Sequence, residues 1–221
     1  MQNIFAEVLP EERTDAGYHY YDGGGVEVQG VTMLMRKNFA NKFSIYSGYH
    51  YDDISGASPD VLAGASEYSE ERDEYTIGGM YLRDNTLLDV SYIYSEEDDY
   101  ESDTINFDVT HEMFGAMTKI NLGASYATDT VMRNDLPTFE EDLDRYLFRA
   151  GISQVITKTT VMRFDYEATV EEGFLNNPYR FVFVNGVSLG SGSEEYPDTR
   201  TGQAFALKGI KYWQHRASTS L

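Results

Sequence analysis

Four histidines are the side chains of this chain best suited to bind a metal ion or to carry a proton: His19, His50, His111 and His215. They lie in distant segments, so a metal site requires a fold that brings some of them together. His19 and His50 can share an ion only if their segments become lateral neighbours. The alternative, which we favour at this stage, is that the histidines belong to an aromatic girdle or line the interior of a barrel.

Other patterns that support catalysis are missing. Cysteine is absent, which removes a disulfide framework, a thiolate metal site and a cysteine nucleophile. No Gly-x-Ser-x-Gly elbow occurs, and nothing singles out one serine for a Ser-His-acid triad. The glycine-rich stretch Gly186–Gly192 precedes no helix, so a phosphate cradle is not expected there. We therefore predict no enzymatic activity, no catalytic residue and no cofactor apart from a loosely bound divalent cation.

The elements that position these residues are β-strands. Residues 75–99 form a hairpin pattern, in which apolar and polar residues alternate along both arms around a turn at Arg83–Thr86. Its apolar positions are Tyr75, Ile77, Gly79, Tyr81, Leu88, Val90, Tyr92 and Tyr94. The same pattern recurs along the chain and predicts about ten strands. Short turns near Asn41, Asn85, Gly115, Lys158 and Gln214 alternate with long or charged connections at 52–73, 95–102, 129–141 and 171–199.

The two faces of these strands favour a membrane over a protein core. The chain has 221 residues and a net charge of −20, which argues against a nucleic-acid partner because phosphate binding needs clustered cations. No run approaches the roughly 20 apolar residues of a membrane-spanning helix, but a membrane β-strand needs only about 9–11 alternating residues. The face opposite the apolar one carries Asp89, Asp108, Arg145, Arg149, Arg163, Asp165 and Glu167.

Two interpretations of that charged face follow. In a barrel it lines the lumen, and its arginines and carboxylates pair across strands. In a soluble sheet it is the solvent face. We predict an all-β fold, an antiparallel up-and-down meander that forms a transmembrane β-barrel or the N-terminal part of one. The alternative is a soluble all-β ligand-binding protein with an aromatic-lined interior.

The domain organisation expected from this pattern is simple. Residues 1–14 form an N-terminal extension, and residues 15–221 form a single barrel domain. No signal peptide is visible at the start, and no closing aromatic strand is visible at the end, so we expect further sequence at both ends. Exposed strand edges would then favour self-association.

Several stretches resemble one bacterial family. These are AEVLPEERTDAGYHYYDGGGVEV (6–28), ASEYSEERDEY (65–75), PTFEEDLDR (137–145) and EEGFLNNPYR (171–180). They are similar to the outer-membrane β-barrel family known only as domain of unknown function 3570. The resemblance implies the outer membrane of Gram-negative bacteria as the location. It also implies outer-membrane lipid, lipopolysaccharide and the barrel-assembly machinery as partners. It implies no settled activity.

Acidic pairs mark the long connections, at residues 70–71, 96–97, 140–141, 171–172 and 194–195. In an antiparallel barrel these pairs converge on one rim. They form either a solvated, repulsive surface or an acidic mouth that attracts cations and bridges lipopolysaccharide phosphates through divalent ions. The candidate ligands are Glu70, Glu71, Glu96, Glu97, Asp98, Asp99, Glu140 and Glu141. We expect a pore or transport function, or a structural function at the cell surface, with an acidic extracellular mouth.

One loop carries a more local prediction. Asn176-Asn177-Pro178-Tyr179-Arg180 combines Asx and proline residues, which predicts an ordered turn. Arg180 is expected to pair with Glu171 or Glu172 and to hold this loop over the mouth.

Overall fold

The computed structural model describes residues 8–56, 68–179, 181–184, 187–191, 197–213 and 217–220. Within these ranges eleven strands form one antiparallel sheet, in which each strand pairs with the next along the chain. The strands of this sheet are β1 (Arg13–Gly23), β2 (Val26–Phe39), β3 (Phe43–Gly56), β4 (Tyr68–Arg83), β5 (Thr86–Glu97), β6 (Tyr100–Met113), β7 (Thr118–Met132), β8 (Glu140–Thr157), β9 (Thr160–Gly173), β12 (Thr199–Trp213) and β13 (Ala217–Ser220). The predicted fold class is confirmed.

A separate two-stranded hairpin lies between β9 and β12. It consists of β10 (Phe181–Val184) and β11 (Val187–Ser191), which pair only with each other. The sequence pattern predicted a loop throughout 171–199, and it also missed β13. In the residues that the structure describes, no helix is long and apolar enough to cross a membrane.

The strands are longer than their apolar stretches. β3 and β4 pair from Phe43–Tyr81 as far as Gly56–Tyr68, so the sheet occupies much of the segment predicted as a loop at 52–73. The connection at 95–102, predicted to be long or charged, is charged but short, a two-residue turn at Asp98–Asp99. The reason is that backbone hydrogen bonds hold a ladder together where the side chains are polar, and apolar periodicity does not report those bonds.

The turns at the other end of the sheet agree with the prediction. Residues 40–42, 84–85, 114–117 and 158–159 connect neighbouring strands there. Asn41 and Asp84 adopt positive φ angles of 53° and 54°, as their short polar side chains allow. Phe114 also has a positive φ, of 54°, which no residue propensity would predict.

The apolar face of the sheet has no protein partner. Ile77, Phe107 and Leu207 are 59%, 46% and 67% exposed, and they alternate with polar residues that point the other way. Among the described residues, Ala127 is the one buried apolar residue. A soluble sheet of this size would bury such a face against a second layer. These residues contain no packed core and no aromatic-lined interior of the kind that the soluble alternative requires.

The polar face is the more enclosed one. Ser44, Ser95, Ser102 and Asp129 are all less than a tenth exposed, and each lies on the face that carries the charges. The burial pattern is therefore inverted relative to a soluble protein, as expected for the wall of a membrane barrel. β1 and β13 are the two edges of the sheet, and no ladder joins them in the described part of the chain.

Candidate functional site

The seven charged residues predicted from the sequence share one face of the sheet. Asp89, Asp108, Arg149 and Glu167 occupy a single lateral row, together with Gly123, because each lies opposite the next in the ladders of β5 to β9. Nη2 of Arg149 donates to both Oδ1 and Oδ2 of Asp108 at 3.2 Å. The row therefore contains an arginine–carboxylate pair, as expected for a luminal face.

Two further ion pairs lie on the same face. Arg163 binds Asp165 two residues along its own strand, with Nε 2.7 Å from Oδ2. Arg145 donates to both oxygens of Asp129, which is fully buried, and its Nη2 also donates to Oγ of Ser102 at 3.2 Å. Asp129 was not among the predicted residues. The sequence could have indicated Asp129 by its position on the polar face of β7, two residues after Ala127 on the same face.

Glycines allow polar side chains on non-neighbouring strands to meet. Arg149 and Asp108 are separated by β7, and they meet above Gly123, where an added Cβ would strike Asp108 and approach Nε of Arg149 at 3.1 Å. Tyr46 lies across Gly78 in the same way, and its hydroxyl donates to Oδ1 of Asp89 at 2.9 Å. The alternation of glycine with polar residues was visible in the sequence, but these cross-strand partners were not.

His19 and His50 are brought together on this face. Nε2 of His19 lies 2.7 Å and Nε2 of His50 lies 3.0 Å from the same oxygen, Oδ1 of Asp52. The two rings are 5.2 Å apart between centroids. The sequence required the two histidines to be lateral neighbours, and this condition is not met, because β2 separates β1 from β3. The two side chains meet across Gly30 of β2, and Asp52 is a third member that the sequence did not indicate.

The other two histidines lie elsewhere. Nδ1 of His111 is 2.8 Å from Oγ1 of Thr86. Because His111 alternates with the polar residues of β6, it lies on the face opposite to the one that carries His19 and His50. His215 lies outside the described residues.

The predicted acidic ligands are divided between the two faces of the sheet. Glu70, Glu97 and Asp99 line a cavity of about 420 Å³ with Tyr100 and Tyr179. Burial, followed by the charges of Asp99, Glu97 and Asp98, raises the pKa of Glu70, and burial also raises the pKa of Glu97. Glu71 and Glu96 are each adjacent in sequence to one of these residues, so they point to the opposite, apolar face of the sheet. In the part of the chain that the structure describes, no three of the predicted acids hold ligand atoms within 4.8 Å of one another.

Tyr179 closes this acidic rim. Its hydroxyl donates to Oδ2 of Asp99 at 2.5 Å and accepts from the backbone N–H of Asn134 at 3.1 Å. Burial and the bond to Asp99 raise the pKa of Tyr179 to about 12. The predicted turn is confirmed, because the Tyr179 N–H donates to Oδ1 of Asn177 at 2.9 Å. Arg180 lies outside the described residues, and it is Arg200 that binds Glu171, at 2.5 Å.

Arg133 supports the same contact. Its guanidinium lies 5.5 Å from the ring centroid of Tyr179 and 5.9 Å from that of Phe139. It also binds Asp135, and its side chain is only 7% exposed. The hydrogen bonds and charge of Arg133 lower the pKa of Asp135. The sequence placed Tyr179 in a turn over the mouth, but it did not indicate Arg133 or the contacts of Tyr179 with Asp99 and Arg133.

Tyrosines mark the border between the apolar band and the rim. Tyr49 and Tyr75 lie 5.2 Å apart on the apolar face, and Tyr126 and Tyr146 lie 5.0 Å apart. The hydroxyl of Tyr49 donates to Asp73 at 2.6 Å. Such tyrosine pairs match the aromatic girdle expected at the edge of a membrane barrel.

Comparison with known proteins identifies the family. The model of the family described as "Protein of unknown function (DUF3570)" matches residues 61–145 and 133–221. The chain belongs to this family. The resemblance predicted from the sequence is confirmed. No curated protein matches this DUF3570 chain.

Solved structures share the fold of this DUF3570 chain. One is a loop-L8 deletion mutant of OmpT, an outer membrane protein of Vibrio cholerae, with a TM-score of 0.54 and 13% identity over 90% of this chain and 62% of that one. OmpT expressed in the outer membrane gives a TM-score of 0.52 and 15% identity over 90% and 64%. The DUF3570 chain thus spans less than two thirds of these proteins, and it has an outer-membrane β-barrel fold.

Proposed function

We propose that this chain forms part of an outer-membrane β-barrel whose polar face lines a passage for small solutes or ions. The observation that carries the proposal is the inverted burial of the sheet. A face of exposed aliphatic and aromatic side chains is suited to lipid, and an enclosed face of paired charges is suited to a water-filled interior.

Strand number supports an open interior. About eight strands give a barrel whose side chains fill its lumen, and larger barrels leave space for water or a plug. The sheet of this chain already has eleven strands. The ion pair of Arg149 joins β8 to β6, and the ion pair of Arg163 lies within β9. Because both partners of each pair belong to the wall, a barrel of more than eight strands would leave an aqueous path beside them.

The outer surface of the rim supports contact with lipopolysaccharide. Asp73, Glu96 and Glu101 lie directly opposite one another on β4, β5 and β6, on the lipid side and beyond the tyrosine girdle. Divalent cations would relieve the repulsion within this row and connect it to lipid phosphates. We propose lipopolysaccharide as a partner on this basis, together with insertion by the barrel-assembly machinery and self-association through open strand edges. The absence of enzymatic activity remains a prediction.

Planar-bilayer conductance of the full-length protein tests the passage. We expect discrete conductance steps and a reversal potential that favours cations, because the rim around Glu70 and Glu97 is acidic. A heat-modifiable band on gels provides the control that the inserted protein is folded. A folded protein that conducts nothing would overturn the passage and leave a structural role for the barrel.

A further inference from the structure

We propose that His19, His50 and Asp52 form a binding site for a first-row transition-metal ion, of which zinc is the best probe. The site lies on the polar face of β1, β2 and β3. It goes beyond the passage proposed above, and it stands on side-chain geometry whether or not the barrel conducts.

The three ligand atoms already converge. One ring nitrogen of His19, one ring nitrogen of His50 and a carboxylate oxygen of Asp52 lie within 4.8 Å of one another, and this is the one such group in the described ranges. Zinc binds nitrogen and oxygen at about 2.0–2.2 Å, which places the ligands of a tetrahedral ion about 3.3 Å apart. The separations of 2.7 and 3.0 Å to Oδ1 therefore need to widen by about 0.6 and 0.3 Å.

The backbone holds this arrangement in place. His19 lies opposite Gly30 on β2, and Gly30 lies opposite Asp52 on β3. A Cβ on Gly30 would lie 2.7 Å from Cε1 of His19 and 2.8 Å from Oδ1 of Asp52, so a larger residue there would separate the two side chains. The three ligands stand on paired strands and not on a loop, which keeps their spacing rigid.

The donor set selects the class of ion. Two imidazoles and one carboxylate suit zinc, nickel, copper or ferrous iron, whereas calcium and magnesium prefer sites made only of oxygen. The side chains of His19 and His50 are 38% and 40% exposed, and that of Asp52 is 14% exposed, so one side of the site faces solvent. An ion held by these three ligands keeps its remaining coordination positions on that side. An ion bound here can therefore exchange with the water beside the wall.

A purely structural role predicts different behaviour. Without a metal, the same contacts are hydrogen bonds, or ion pairs when the imidazoles are protonated. Glu74 lies opposite His50 and adds negative charge, but Arg72 binds Glu74 at 2.7 Å and offsets it. A structural network of this kind would show no preference for zinc over calcium.

Zinc titration of the folded, detergent-solubilised full-length protein tests the site. We expect one zinc ion per chain, bound in preference to calcium. His19→Gln, His50→Gln and Asp52→Asn should each weaken zinc binding at least about tenfold. His111→Gln is the matched control, since it removes a histidine from the opposite face, and it should leave the affinity unchanged. Equal zinc affinity in the wild type and in the His19 and His50 variants would overturn the site.

Copper provides a second measurement that does not depend on any variant. Electron paramagnetic resonance of the wild-type protein with one equivalent of Cu²⁺ should show hyperfine coupling to two imidazole nitrogens. A spectrum with oxygen ligands alone would overturn the proposal and assign the bound ion to the carboxylates of the rim. Bilayer conductance is independent of this result, so failure of the passage and failure of the metal site can be told apart.

Discussion

His19 on β1 and Asp52 on β3 belong to strands that are not neighbours, yet Nε2 of His19 lies 2.7 Å from Oδ1 of Asp52. The contact exists because Gly30, on the strand between them, has no side chain. Arg149 and Asp108 meet above Gly123 for the same reason. Glycines on the polar face therefore allow these two pairs to form across an intervening strand.

The contact above Gly30 leads to a prediction about metal binding. Gly30→Ala keeps all three ligands but places a methyl group between His19 and Asp52, and against the backbone carbonyl of Tyr51. We expect zinc affinity to fall at least about tenfold. Gly209→Ala is the control, because a Cβ there meets no atom within 4 Å. Titration of both variants, after a gel-shift check of folding, makes the comparison. Unchanged affinity in a folded Gly30→Ala protein would contradict the role of the glycine.

The second glycine gives a prediction about stability. Gly123→Ala should lower the free energy of unfolding by about 1–3 kcal/mol, since the added methyl group is overpacked against Asp108 and Arg149. Gly209→Ala should change it by less than about 0.5 kcal/mol. Urea unfolding in lipid vesicles measures both. Equal stability of the two variants would show that the Arg149–Asp108 pair does not depend on Gly123.

The lipid-facing orientation of β5 can be tested at Val90, which is 49% exposed on the apolar face. Val90→Arg should cost about 2–4 kcal/mol near the bilayer midplane, because a guanidinium is poorly solvated by lipid. Ala206→Arg is the matched control on the polar face, where Ala206 lies opposite Asp165. Folding yield into vesicles distinguishes them. A barrel unimpaired by Val90→Arg would contradict this orientation.

The rim contact of Tyr179 predicts ordered loops. Tyr179→Phe removes the hydrogen bonds to Asp99 and Asn134, so limited proteolysis within 133–139 and 174–179 should become several-fold faster. Tyr18→Phe, at a residue that is 67% exposed, should have no effect. Because the pKa of Tyr179 is raised to about 12 from 10, the contact should stabilise the protein below pH 10 and lose that effect as the pH rises towards 12. Identical digestion of the two variants would show that Tyr179 does not hold the loops.

Burial of Glu70, together with repulsion from the other acids of the rim, predicts that removing its charge stabilises the protein in a pH-dependent way. The pKa of Glu70 is raised from 4.5, so its carboxyl favours the folded state when protonated and opposes it when charged. Glu70→Gln should raise the melting temperature at pH 7, by the equivalent of up to about 1 kcal/mol, since the site is partly exposed. The gain should disappear below about pH 4.5, where the wild type is itself protonated. Glu11→Gln, the same charge change at an exposed site, should show no such gain at either pH.

Period-two alternation was sufficient to predict the sheet, its up-and-down order and most of its turns. Successive residues of a strand point to opposite faces of the sheet. The face on which Val90 or Arg149 lies therefore follows directly from the neighbouring residues. The β10–β11 hairpin was missed although Phe181–Val184 is an apolar run, because the whole of 171–199 was predicted as one loop. The strand ends did not follow, because backbone pairing continues where the side chains carry no apolar signal. The two-residue turn at Asp98–Asp99 was missed for the same reason.

The sequence by itself determined that this chain has one apolar face, one charged face and an acidic set of connections, because those properties belong to single residues and their spacing. Only the tertiary structure decided which side chains meet. Strand register places His19, His50 and Asp52 around Gly30, and loop packing places Tyr179 on Asp99. His19 and Asp52 are 33 positions apart, and Tyr179 and Asp99 are 80 positions apart. Contacts over such separations in the sequence are set by the whole ladder of hydrogen bonds rather than by any local pattern.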